Sequence, residues 1–385
     1  MRVVYRNCRL LTPAEDLGVR DIAVENGLVV AVGKGLRGDK VVDCESLTAS
    51  PGFIDTHIHG YKGVDFTEAD AEGILRVAGE LVKHGVTSFL ASTVAAPREA
   101  LLRACSAVKE AASRWRPELG ARILGIHLEG PFLNPKWRGA MNEAFFRKPS
   151  LEELSEYVRA SGGLVRQVTV APELEGALDF IREVAGWGIA VSLGHSDATY
   201  EQAVAAVEAG ARKANHIFNG MRGFHHREPG LAFALLERPE VFVEAIVDFV
   251  HLHPATVRLV VDRAGSGRVV LVTDAVQAAG LPDGEYTLGG LRIVVKGGVS
   301  KLADRDTIAG STLTMDTAVR NLVKLGYGLR DVLTMASLTP ARSVLAVGRD
   351  RVGALEPGFR ADFVLLDEEL RVEKTIVNGE VVYGA

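Results

Sequence analysis

Cysteine is scarce: Cys8, Cys44 and Cys105 are the only three in 385 residues, too few and too scattered for a disulfide framework. No apolar run approaches the ~20 residues of a membrane-spanning helix, so no membrane partner is expected. The opening Met1-Arg2-Val3-Val4-Tyr5 reaches polar residues at once and does not read as a signal peptide. Basic charge is not in excess either. Forty-four Lys and Arg stand against 49 Asp and Glu, a net charge of -5, and the lack of a long basic run argues against a nucleic-acid partner. Internal repeats, low-complexity tracts and long linkers are also missing. With 47% apolar and 24% charged residues, what remains is a soluble globular chain, and a cytoplasmic enzyme is the expected class.

The two ends of the chain share one texture. Residues 1–50 hold β-rich runs such as Val3-Val4-Tyr5, Asp21-Ile22-Ala23-Val24 and Leu28-Val29-Val30-Ala31-Val32, separated by turn signals. Residues 349–385 repeat that texture in Phe363-Val364-Leu365-Leu366 and Thr375-Ile376-Val377. Neither end carries enough apolar mass for its own core, so together they predict one small β-sandwich domain. Between them, residues 51–348 alternate strand and helix. Candidate strands are 51–57, 85–92, 122–129, 165–171, 188–194, 212–217, 241–248 and 268–273. Helical patterns fill most gaps, as at 71–83, 97–113, 151–160 and 200–209. Eight short apolar strands alternating with helices predict an α/β fold, a (β/α)8 TIM-type barrel, with an open doubly wound sheet as the alternative. A Gly-rich β-like insertion follows at 284–300, then further helices to about 347.

In such a barrel the chemistry lies at the carboxyl ends of the strands. His57 and His59 end the first, where i and i+2 side chains share a face. The third runs into Glu129, the fifth into His195, the sixth into Asn215 and His216, and the eighth into Asp274. Four histidines and two carboxylates converge on one rim, ligands for up to two divalent ions with a carboxylate to spare. Such a donor set suits Zn, Fe(II), Co or Mn. The other histidines read differently. His84 sits at a helix C-terminus, His127 lies inside the third strand as a core or supporting residue, and His225, His226 and His253 are loop residues.

Several motifs tie these residues to a known group. His-Leu-Glu-Gly-Pro-Phe (127–132), Gly-His-Ser-Asp-Ala (194–198), Asn-His-Ile-Phe-Asn-Gly-Met (215–221), Arg-Glu-Pro-Gly (227–230), Val-Thr-Asp-Ala (272–275) and Ala-Gly-Ser-Thr-Leu-Thr-Met (309–315) resemble the N-acetylglucosamine-6-phosphate deacetylase family. The Pro-Gly-Phe-Ile-Asp-x-His-x-His opening (51–59) is similar to that of the wider amidohydrolase superfamily. The resemblance implies metal-dependent hydrolysis of the N-acetyl amide of a phosphorylated amino sugar, with Glu129, His195 and His216 as main metal ligands and Asp274 as catalytic acid/base. It implies substrate contacts at Asn219, Gly220, Arg227 and His251, with His251 reaching in from a neighbouring subunit of a homodimer, and at Ile308, Ala309 and Gly310. Glu129 would replace the lysine that many amidohydrolases carry on strand four.

Two positions depart from the family's pattern. Phe249 stands where glycine often allows close approach, and Met141 where a substrate-binding histidine often stands. Both bear on substrate identity more than on reaction type. A thioether donates no hydrogen bond, so the carbonyl would be polarised by a second ion. The expectation is two ions per chain, with His57 and His59 on the second and Glu129 bridging. The alternatives are an amidohydrolase for another N-acyl amino sugar or an N-acyl amino acid, and an inactive barrel scaffold.

Overall fold

The computed structural model describes residues 1–384. Its centre is an eight-stranded parallel sheet made of Phe53–Ile58, Val86–Thr93, Arg122–Glu129, Val165–Val170, Ala190–Leu193, Lys213–Ala214, Phe242–Ile246 and Val269–Val272. These pair strictly in chain order. That order excludes the doubly wound alternative, whose strand order reverses at a switch point. The last strand returns to the first: the Asp274 main-chain N–H donates to His57 O at 2.8 Å, and the Thr273 hydroxyl donates to Asp55 Oδ2 at 2.5 Å. The sheet is therefore a closed (β/α)8 barrel.

Helices cover the barrel because their apolar residues recur at helical spacing. In Ala71–Leu81 the buried set is Ala71, Ile74, Leu75, Val77, Ala78 and Leu81, and Asp70 caps its start by accepting from Gly73 N. Tyr200–Ala209 opens on a reciprocal capping box between Thr199 and Gln202, which satisfies two otherwise orphaned main-chain donors. The sixth strand is the shortest, two residues against the six expected. After Ala214 its main-chain pairing continues only through isolated bonds, Asn215 N to Leu193 O at 2.9 Å and Ile217 N to Glu244 O at 2.9 Å. The chain is already turning there to present His216.

Both termini build a second sheet. Five N-terminal strands between Arg2 and Pro51 join Phe363–Leu366, Val372–Val377 and Glu380–Tyr383 in one hydrogen-bonded set. Phe363–Leu366 runs antiparallel to Thr48–Pro51, the strand that leads directly into the first barrel strand. Its own core contains Tyr5, Leu10, Ile22, Val29, Phe363, Leu365 and Ile376. The reading of the cysteines needs one correction. Cys8 and Cys44 are paired as a disulfide in this core, with Cα atoms 5.1 Å apart, because Lys40–Asp43 lies parallel beside Arg2–Leu11. Cys105 is free and buried. The Gly-rich insertion forms a three-stranded antiparallel meander, Gly284–Leu288, Leu291–Lys296 and Val299–Leu302.

Phe363 is fully buried, edge-on to Tyr5 with ring centroids 4.8 Å apart. Phe363→Ala should destabilise the protein by ~3–5 kcal/mol through lost burial plus the cavity left behind. Denaturant unfolding of the variant beside the parent measures this; a change within ~0.5 kcal/mol would mean that the two termini do not share a load-carrying core.

Candidate metal centre and active site

The histidines meet in two pairs, and one carboxylate lies between them. His57 Nε2 and His59 Nε2 are 3.2 Å apart; His195 Nε2 and His216 Nε2 are 3.1 Å apart. Glu129 divides its oxygens. Oε1 is 3.2 Å from His195 Nε2 and 3.0 Å from His216 Nε2, while Oε2 is 3.0 Å from His59 Nε2 and 3.5 Å from His57 Nε2. Both triplets, His57–His59–Glu129 and Glu129–His195–His216, are buried and compact enough to hold a metal ion. Asp274 Oδ1 lies against the first pair, 3.2 Å from His59 Nε2 and 3.5 Å from His57 Nε2.

The second ring nitrogens explain why the first ones converge. His57 Nδ1 donates to Glu244 Oε2 at 2.9 Å, His59 Nδ1 to the Ser92 carbonyl at 3.3 Å, and His195 Nδ1 to the Trp137 carbonyl at 2.7 Å. With Nδ1 committed as a donor, each Nε2 is left to bind a proton or an ion. His216 Nδ1 is buried without a hydrogen-bond partner. Imidazole nitrogens ~3 Å apart around a shared carboxylate are the donor set of a divalent transition metal, so these residues fit one.

Electrostatics lead to the same place. Burial lowers the basicity of His57, but Glu129 and Glu244 more than offset it and hold the ring's pKa well above its ordinary value. Burial likewise opposes protonation of His59, yet the bonds to Asp274 and Glu129 push its pKa up to about 9. Burial raises the pKa of Glu129, and the neighbouring His57, His195 and His216 outweigh it, so the carboxylate stays well below its usual range. Asp274 is also lowered, burial being overcome by the bond from His59 and the charge of His57. The raised basicity of His57 and His59 and the lowered pKa values of Glu129 and Asp274 thus arise from the same contacts.

The local backbone aims these groups. His195 and Asp274 adopt φ of 46° and 51°, a left-handed conformation costly for non-glycine residues and common at functional sites. Gly220 takes φ 57°, and a Cβ there would stand 2.8 Å from His195 Nδ1; only glycine lets the His195 ring lie against this turn.

Above the ligands is a cavity of about 290 Å³. His59, Glu129, His195, His216, Asp274, Met141, Asn219, Gly220, His251, Ile308 and Gly310 all line it. His57 lies beneath, fully buried, and Ala309 is fully buried behind the wall. Two expected substrate contacts are placed differently from each other. His251 lines the cavity of its own chain. The Asp248 carboxylate accepts from Val250 N, His251 N and His251 Nδ1 at 2.7 to 2.8 Å, folding this loop back over the barrel mouth. Arg227 does not line the cavity: it is exposed, with its guanidinium against His226 Nε2 at 2.7 Å. Phe249 keeps the left-handed conformation that glycine favours, with φ 63°, and packs its half-buried ring on the barrel core.

Other residues were not foreseen. Val94, Gly139, Ala140, Leu288, Asp306 and Thr307 complete the cavity wall. Beneath the site Lys213, Glu244 and Gln167 are fully buried. A lone Glu in Phe-Val-Glu-Ala-Ile (242–246) and a Lys opening the sixth strand were the available signals, since ionisable residues are seldom fully buried unpaired. His127, fully buried, contacts the Ser92 and Thr169 hydroxyls at 3.1 and 2.8 Å and meets the His57 ring edge-on at 4.5 Å.

The model of the family described as "Amidohydrolase family" matches residues 48–382. The chain belongs to this family. Among curated relatives, this amidohydrolase is 40% identical to an N-acetylglucosamine-6-phosphate deacetylase of Vibrio furnissii, over 94% of this chain and 90% of that one. It is also 40% identical to an N-acetylgalactosamine-6-phosphate deacetylase of Escherichia coli O157:H7, over 99% of both. Among solved structures, an N-acetyl-D-glucosamine-6-phosphate deacetylase of Mycobacterium smegmatis, an Asp-to-Ala variant in complex with N-acetyl-D-glucosamine-6-phosphate, superposes with a TM-score of 0.91 at 38% identity, covering 99% of both chains.

Because His59 holds its proton up to about pH 9 in the metal-free amidohydrolase, an incoming ion must displace it. Zinc affinity of the apo-protein should therefore rise with pH towards 9 and level off above it. Calorimetric titration in buffers of different ionisation enthalpy reads the proton release directly; no release at pH 7 would contradict the protonated pair.

Proposed function

We propose that this amidohydrolase removes the acetyl group of N-acetylglucosamine 6-phosphate, giving glucosamine 6-phosphate and acetate. The observation that carries the reading is Glu129, with one oxygen on each histidine pair beneath a cavity that Asp274 also lines. Near-full-length relatives named for this activity support the substrate. A second reading, the galactosamine epimer, is favoured by the equally similar Escherichia coli relative.

We assign two divalent ions to the site: His57, His59, His195, His216 and Glu129 are the residues that would hold them. Bound there, divalent metal would supply an activated water near neutral pH and polarisation of the amide carbonyl. The chain does the rest. Asp274 accepts the proton of the attacking water and delivers it to the amide nitrogen as the C–N bond breaks. Its place against His59, out of bulk water, raises its pKa once the proton is on it. Met141, with Val94 and Leu288, forms an apolar wall that offers the carbonyl no donor, consistent with polarisation by an ion. Asn219, Gly220 and His251 face the cavity where the sugar phosphate would lie, and Ile308 to Gly310 close it from the far side.

Arg227 belongs to the same reading through a second copy. It is exposed on the turn bridged by His225 and Glu228. Phe224, Phe233 and Leu259, 57%, 42% and 56% exposed, line one surface groove together with His251. An apolar surface of this kind supports a homodimer in which Arg227 reads the partner's phosphate as a bidentate fork. The chemistry is carried by 51–348, and the terminal domain, 1–50 with 349–385, supports it structurally. No described helix is long and apolar enough to cross a membrane; a cytoplasmic location fits a charged sugar phosphate that does not cross one unaided.

Acetate release from N-acetylglucosamine 6-phosphate, its galactosamine epimer and the unphosphorylated sugar tests the assignment; no release from either phosphorylated sugar would overturn it. Asp274→Asn should keep bound metal and lose ~10²–10⁴ in kcat, and near-normal turnover would remove Asp274 from proton transfer. Arg227→Ala should raise KM for the phosphorylated sugar far more than for the free one. Mixing Arg227→Ala with Asp274→Asn protein, with subunit exchange, should recover part of the lost activity, because a mixed dimer contains one intact site. Simple addition of the two residual rates would place Arg227 outside the partner's site.

A further inference from the structure

Glu244 lies on the seventh barrel strand, under the ligands and outside the cavity, with no exposed surface. Four donors converge on it. Oε2 accepts from His57 Nδ1 at 2.9 Å and from the His216 main-chain N–H at 3.2 Å. Oε1 accepts from Lys213 Nζ at 2.9 Å and from Gln167 Nε2 at 3.1 Å. Lys213 Nζ in turn donates to Gln167 Oε1 at 2.7 Å and Thr56 Oγ1 at 2.9 Å. Every side-chain polar atom of Glu244, Lys213 and Gln167 has a partner, and all three residues are fully buried.

From this arrangement we propose that Glu244 is the positioning residue that sets the spacing of the two histidine pairs, with Lys213 as its internal counter-ion. This rests on the metal-dependent reading above and adds a residue that never touches substrate. One oxygen of one side chain grips a ring of the first pair and the backbone of the second. His57 is thereby fixed with Nε2 towards Glu129, and His216 is held at the point where the sixth strand leaves the ladder. A carboxylate acceptor also enriches the imidazole as a ligand, as such supporting partners do at metal sites. Lys213 makes the burial tolerable: a carboxylate without a nearby cation would not stay ionised in this interior. The chain has no lysine on strand four, where the wider superfamily resemblance would put one, and instead keeps a lysine beneath the metal ligands.

The test is zinc titration of the chelator-stripped protein by calorimetry, with thermal unfolding of the metal-free forms alongside. A His57→Asn/His59→Asn variant identifies which binding event belongs to the first pair. Glu244→Asp keeps a charge for Lys213 but withdraws the oxygen from His57. Glu244→Gln with Lys213→Met removes both charges, so neither is left buried alone. Each should weaken the first-pair event by ~10–100-fold, more than the second, while the metal-free Tm of at least the Asp variant stays close to the parent's. Unchanged affinity at the first pair in either folded variant would overturn the role. Equal weakening of both events in step with a fall in metal-free Tm would also overturn it, as a general loss of packing. A parent protein that takes up no zinc would instead remove the metal reading itself.

Discussion

The carboxylate of Glu129 is the constraint around which the site is built. It is buried at the closed mouth of the barrel, where an unpaired charge would cost several kcal/mol. Four imidazole nitrogens within 3.5 Å compensate it. Those nitrogens in turn stand 3.2 and 3.1 Å from one another within each pair, the spacing of donors gathered for a cation. An apolar interior would be more stable; this one is held in place by barrel closure, since the Asp274 amide is bonded to the carbonyl of His57 itself.

Beneath that layer lies a second, fully compensated one. Burial lowers the basicity of Lys213, opposed by Glu244. Burial raises the pKa of Glu244, outweighed by Lys213 and His57. The lower layer pairs its one carboxylate with a lysine, whereas the upper one sets its carboxylates against imidazoles. The division makes physical sense: His59, Glu129, His195, His216 and Asp274 face the cavity, and the groups that only orient the ligands are sealed below with His57. His195 and Asp274 carry unfavourable backbone conformations at that boundary. They are held there by neighbouring turns, including Gly220 under the His195 ring and the bond from Ser311 N to Asp274 O at 2.8 Å.

The substrate side is less symmetrical. His251 folds into the cavity of its own chain, while the exposed Arg227 points away beside apolar rings. Met141, Val94 and Leu288 belong to a small apolar cluster with the β-meander of the insertion. This wall is therefore shared between two barrel loops, which supply Val94 and Met141, and the meander, which supplies Leu288.

Much of this was determined by sequence alone. A two-residue strand period puts His57 and His59 on one face wherever they are in the fold, and strand–helix alternation commits the middle of the chain to a parallel sheet. Local chemistry of that kind is written in neighbouring residues, so the strand ends carrying Glu129, His195, His216 and Asp274 were legible. The tertiary structure alone decided how those ends meet. Which oxygen of Glu129 faces which pair, and that Glu244, 187 residues from His57, should grip its ring, depend on barrel closure and register. The same holds for His251 and Arg227: adjacent motifs in the sequence, they part because the Asp248 carboxylate curls one loop inward while the 225–228 turn stays in solvent. Interactions between residues far apart in the chain leave no local pattern, and they fix the site's geometry.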